Sequence, residues 1–271
     1  MRMRCSWIVI GVLAPSLLDG ETNWLRTQTI NQMASAGQSG AAKPSVPDLS
    51  GVWEIPRGVR AGYRNPGYSV TAEKPSMTPW GEERYRLARD GPKRNQFDRG
   101  NENRDPSYIH CLPFGPTRNF THNQPFEIVQ TPKIVYILFQ TAHEVRRAYM
   151  DGRPHPEDWP FRWNGHSTGK YEGDTLVIDT VHLNDTTWID TFGYPHSDAL
   201  HIVERIRRVE PGTLQVDFLF EDPKAYTKPW AGKRVFQEMT GPHAEILEDI
   251  NCETHLLDEH LPKVLRGDPE P

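Results

Sequence analysis

Residues 195–205, PHSDALHIVER, place His196, Asp198, His201, Glu204 and Arg205 within one short segment whose second half has the composition of a β-strand. Imidazole and carboxylate side chains at this density are the material of acid–base chemistry near neutral pH and of metal binding. With a turn at Pro211-Gly212, Arg207 falls opposite Val216, Arg205 opposite Phe218 and Val203 opposite Phe220. Alternate residues of a strand share a face. Arg205 and Arg207, with His201 at the edge, would then face the same side as Leu214, Val216, Phe218 and Phe220. Charged groups on an apolar face require partners or a wet cavity, which is the pattern of a ligand pocket. A single bulge would reverse the register and send these charges outward. Glu204, on the face of Ile202 and Ile206, is either a buried partner for an arginine or an exposed carboxylate.

Further histidines lie upstream: His143 before EVRRAYMDG, His155 in GRPHPEDW and His166 in NGHSTG. His196 and His201 form the closest pair available to a divalent metal, although HxH and HExxH spacings are absent. The sequence also lacks a Gly-x-Ser-x-Gly elbow, a phosphate-binding loop and a dinucleotide fingerprint.

The elements that must position these groups are mostly strands. FEIVQ and KIVYILFQT, EVRRAYMD, STGKY and TLVIDTV, ALHIVERIRRV and TLQVDFLF, and AGKRVFQEM and AEILEDINCE follow one another across short turns rich in Gly, Pro and Asp. About ten strands in meander order, without crossover helices, predict a mainly β protein: an antiparallel up-and-down barrel or a two-sheet sandwich. TPWGEERYRLARDG, 78–91, is the best helix, with Thr78 as cap, Pro79 in the first turn and Glu82 and Glu83 at the positive end. Gly51-Val52-Trp53 on the first strand resembles the opening of lipocalin-type barrels.

The chain has 271 residues, 24 prolines, 21 glycines and a net charge of −5. This balance excludes a basic nucleic-acid-binding surface. MRMR followed by CSWIVIGVLAPSLL reads as an export leader too short to span a bilayer comfortably, with Ala34-Ser35-Ala36 as a small-residue cleavage site. A start nearer Met33 is the alternative. The organisation expected is a leader over 1–36, a linker over 37–49, one β-barrel domain over 50–260 and a tail over 261–271. No later segment is apolar enough to span a membrane. Cys111 and Cys252 remain after leader removal. In an oxidising compartment they would close a loop of about 140 residues by a disulfide; two separate thiols are the alternative.

Several long segments occur in a familiar order: DLSGVW, TPWG, GHSTGKYEGDTLVIDT, PHSDALHIVERIRR and DPKAYTKPW. They resemble a large group of exported bacterial proteins without an assigned activity, whose members carry GHSxGxWEGDTLVVDT, PHSDxLHVxERxRR and DPxAYTKPW. The resemblance spans about residues 48–255. Tyr171 stands where tryptophan is usual, and His182 where an aromatic residue is usual. It carries over Arg146, His155, His166, Asp179, His196, His201, Glu204 and Arg205 as polar positions, with Tyr226, Lys228 and Trp230 on a loop over a barrel mouth. Periplasmic or secreted location follows from the same resemblance and the leader.

Three readings are open. In the first the protein is a cofactor-independent lyase, isomerase or hydrolase. His166 and His201 serve as acid and base, Arg146 or Arg205 holds an anionic group, Glu204 assists, and His143, His155, Asp179, Tyr226 and Trp230 contact the substrate. In the second the same polar pocket only binds a small organic ligand. In the third His196 and His201 hold a divalent metal.

Overall fold

A computed structural model describes residues 46–56, 69–90, 105–107 and 112–248, all within one compact unit, Val46–Pro271. Leader, tail, Cys111 and Cys252 lie outside the described residues, and so do the linker's residues before 46. Nine strands close into a barrel in sequence order: β1 Gly51–Glu54, β2 Phe126–Gln130, β3 Ile134–Phe139, β4 Val145–Tyr149, β5 His166–Glu172, β6 Thr175–Val181, β7 His201–Glu210, β8 Thr213–Glu221 and β9 Trp230–Glu238. β9 pairs with β1 and completes the ring, so residues 244–248 are not needed as a tenth strand and do not form one.

All neighbours are antiparallel except β4 and β5, which run parallel through Ala148↔Ser167 and Tyr149↔Thr168. Parallel neighbours need a crossover connection. The segment 150–165 supplies it, leaving the barrel as a loop and returning to the same end.

The alternation of each strand sorts its side chains. Leu176 and Ile178 of β6, Ile202 and Ile206 of β7, and Leu214, Val216 and Phe220 of β8 are completely buried. Phe120 enters the barrel from the short helix α2, Pro116–Asn119, and meets the rings of Phe126, Phe139, Phe218 and Phe236 at centroid distances of 5.0–5.9 Å. Because the five rings of this cluster are each 3% exposed or less, this part of the barrel is a packed core and not a ligand lumen.

Trp53 is fully buried, donates its indole N–H to the Leu49 carbonyl at 3.2 Å and carries the Arg208 guanidinium 4.6 Å above its ring. Gln130 ties the incoming segment 47–50 to the wall by accepting from Leu49 N and donating to Pro47 O.

The helix α1 runs Pro79–Asp90. Thr78 caps it as expected, its hydroxyl accepting from Gly81 N at 3.1 Å. Gly81 is required by packing, since a Cβ there would run into the Ala225 carbonyl oxygen. Tyr85 stacks on Tyr194 at 5.2 Å and holds α1 against the 185–196 segment.

The β7–β8 register differs from the sequence expectation by one residue. A bulge between Arg208 and Glu210 sets Glu204↔Phe218, Arg205↔Asp217 and His201↔Glu221. Arg205 and Arg207 therefore face outward, on ion pairs with Glu172 and Asp217, and Glu204 faces inward.

Candidate functional site

The inward Glu204 meets Arg146 of β4. The guanidinium donates from Nη1 to Oε1 at 2.8 Å and from Nη2 to Oε2, and it also reaches Thr180 Oγ1 at 2.7 Å and Ser167 Oγ at 3.3 Å. The side chains of Arg146 and Glu204 are 1% and 0% exposed. This is a brace across the core in which four of the five guanidinium N–H groups and both carboxylate oxygens have partners within the protein. It leaves Arg146 no free face for a substrate anion, and Glu204 none for catalysis. The expected role of both in a pocket is corrected accordingly, as is that of Arg205, which lies outside the wall.

On the outer face of β5, β6, β7 and β8 a second polar cluster stands in a continuous chain. His201, half-buried, bridges two carboxylates: its Nδ1 lies 2.9 Å from Glu221 Oε2 and its Nε2 3.0 Å from Asp179 Oδ1. The same Asp179 oxygen receives His155 Nε2 at 3.1 Å. His155 Nδ1 then lies 2.8 Å from His166 Nδ1. His155 is delivered by the β4–β5 crossover, and Thr168 Oγ1 lies 3.4 Å from its Nε2. His166, only 2% exposed, is stacked on Tyr149 and met edgewise by Trp159 at centroid distances of 5.4 and 4.9 Å.

The charges along this chain follow from its partners. Hydrogen bonding to Asp179, opposed by burial and reinforced by Glu221, raises the His201 pKa to about 9, so His201 is an imidazolium at neutral pH. Its donated hydrogen bond in turn lowers the Asp179 pKa, so Asp179 is an ionised, acceptor-only carboxylate. His155 must therefore present Nε2–H to Asp179. The two Nδ1 atoms share one hydrogen bond, and in the tautomer in which His166 donates Nδ1–H, His155 Nδ1 is the acceptor. The remaining nitrogen of His166, Nε2, then carries a bare lone pair and has no hydrogen-bond partner among the described residues. Burial is the largest cause that lowers the His166 pKa, followed by the charges of His155, Arg153 and His182.

Of the residues expected at a site, the structure thus brings together His155, His166, Asp179 and His201. It does not bring in the others. His143 is exposed on the turn between β3 and β4 with a φ of 52°. Tyr226 and Trp230 are packing residues: Tyr226 donates to Pro195 O at 2.7 Å, and Trp230 lies 4.3 Å from Phe220 by ring centroids. His196 and His201 do not converge on a shared ligand site. His196 lies 2.7 Å from Thr187 Oγ1 and 3.2 Å from Ser197 O, while His201 spends both nitrogens on Asp179 and Glu221. Among the described residues no group of three or more His, Cys, Asp or Glu is arranged to hold a metal. Glu221, Trp159 and Tyr149 were missed in the sequence. Glu221 alone had a signal there, as the cross-strand partner of His201 once the bulge is placed.

No family model matches the chain, and no curated protein does. Among solved structures, a crystal structure of a mutant of the fluorescent protein UnaG is similar, with 13% identity over 71% of this chain and 97% of that chain and a TM-score of 0.31. Among the described residues no helix is long and apolar enough to cross a membrane.

Proposed function

We propose that the protein is an exported acid–base catalyst for a small organic molecule, with His166 Nε2 as the working base. The observation that carries this reading is the unbroken chain Glu221–His201–Asp179–His155–His166, which ends on a nitrogen without a hydrogen-bond partner among the described residues. A proton taken from substrate at His166 Nε2 leaves an imidazolium in a buried setting. Passing the Nδ1 proton across 2.8 Å to His155 Nδ1 moves that charge onto the ring held by Asp179. His166 is then neutral, with its proton on Nε2; return of the other proton from His155 Nδ1 to His166 Nδ1 restores the imidazolium, which hands the Nε2 proton back to the substrate and leaves His166 as it began. The carboxylate fixes the tautomer and stabilises the cation, as in hydrolase triads, but among the described residues no serine or cysteine is a member of this hydrogen-bonded series. Proton transfer at an activated C–H, in isomerase or lyase chemistry, is therefore the reaction class that fits. His201, already protonated at neutral pH, orients Asp179 and is a positioning residue in this scheme and not the second acid–base group. The leader-like N-terminus supports the exported setting.

The test is proton exchange. Ketones, aldehydes, keto acids and esters are incubated with the protein in D2O and followed by NMR. Catalysed exchange that is lost in His166→Gln and slowed about 10²-fold or more in Asp179→Asn supports the reading. Saturable binding of the same compounds without exchange leaves the non-catalytic, ligand-binding reading. Exchange that survives in His166→Gln contradicts the assignment of the base.

A further inference from the structure

A cleft of about 390 Å³ lies between α1 and the segment 185–196, within the size range of small-molecule sites. None of its lining residues belongs to the histidine chain. Trp80 and Leu87 of α1 and Trp188 and Pro195 of the facing segment give it apolar walls.

Two charges line it, and neither is paired with an opposite charge among the described residues. Arg84 lies 5.3 Å over the Trp80 ring and pairs with no carboxylate among the described residues. The Asp185 carboxylate has no hydrogen bond or ion pair among them. The two do not pair with each other. His196 adds no third charge. The Ser197 carbonyl can only accept, so His196 donates from Nδ1 and its Nε2 accepts from the Thr187 hydroxyl. Both nitrogens are thereby committed in the neutral ring.

We propose that this cleft binds an α-amino acid with an apolar side chain, its carboxylate on Arg84, its ammonium on Asp185 and its side chain between Trp80 and Trp188. A guanidinium and a carboxylate on facing sides of a cleft of mixed polar and apolar lining complement a zwitterion with an apolar side chain, whereas a simple anion would meet Asp185 and a simple amine would meet Arg84.

The experiment titrates the full chain with L-phenylalanine, L-tryptophan and L-leucine, and with phenylpropanoate and phenethylamine, by calorimetry, with tryptophan fluorescence as a second readout for the non-indole ligands. At least one amino acid should bind saturably, with the one-charge analogues of phenylalanine about tenfold weaker or more. Arg84→Ala should weaken binding of the amino acid and of phenylpropanoate about tenfold and leave phenethylamine unchanged. Asp185→Asn should weaken the amino acid and phenethylamine and spare phenylpropanoate. Both positions are exposed, and an unchanged melting temperature confirms that the variants fold. Absence of saturable binding by all three amino acids overturns the proposal. So does equal affinity for the one-charge analogues, or indifference to both substitutions.

Discussion

Replacing Glu204 by alanine should be among the most damaging single changes in this chain. The carboxylate is fully buried and accepts from two guanidinium nitrogens of Arg146, which is itself 1% exposed. Removing it leaves a cation in a packed interior with only Thr180 and Ser167 hydroxyls as partners. Breaking a buried pair in this way costs about 3–5 kcal/mol. A domain of this size loses about 2–4 °C per kcal/mol, so the melting temperature should fall by roughly 6–20 °C. The loss should be far larger than that of removing both charges. Arg146→Met combined with Glu204→Leu should recover most of the stability, because well-packed apolar replacements avoid the desolvation of both ions. Denaturant unfolding of the wild type, Arg146→Met, Glu204→Leu and the double variant gives the cycle. A Glu204→Ala variant within about 1 kcal/mol of wild type would show instead that water or another acid reaches Arg146 and that the interior is not dry.

Other outcomes follow from the same contacts. Trp53→Ala should cost about 3–5 kcal/mol by the same unfolding assay, because it deletes a fully buried indole, its bond to Leu49 and the platform under Arg208. Gly81→Ala should loosen α1 from the loop around Ala225, seen as faster amide exchange over 79–90 with little change in the barrel strands. The His201 pKa lies above its unfolded value, at about 9. Its contribution to stability is therefore fully present below about pH 6.5 and is lost as pH rises through 9. His201→Gln should remove that slope from the stability profile between those limits, and an unchanged slope would show that Asp179 and Glu221 do not hold the imidazolium.

Much of the barrel was legible because its strands are short, alternating and punctuated by turns. FEIVQ coincides with β2, and TLVIDTV with β6. The GxW start was also legible, as a buried tryptophan on the first strand. The β7 register was not. Arg208 turns inward to Glu238 and the carbonyls of Asp48 and Ser50, and the bulge beside it flips every residue upstream. Partners that distant are invisible to a local count. The alternative noted in the sequence, an outward Arg205, is the one the fold adopts. The histidine chain was half legible: its members stood out by type, but the geometry depends on the β4–β5 crossover that lays His155 against Asp179 and His166. Nothing in the alternation of strands locates a loop residue on the outer wall. His196 misled because its neighbours look polar, whereas its ring is committed to Thr187 and Ser197.

The protonation pattern of the outer-wall histidines is tested most directly by nitrogen-15 NMR of their side chains across pH 5–10. His166 should be neutral at pH 7.5 with its proton on Nδ1 and Nε2 bare, and His201 doubly protonated until pH is near 9. A His166 ring with Nε2 protonated and Nδ1 bare at that pH, or a His201 that titrates near 6.5, would contradict it.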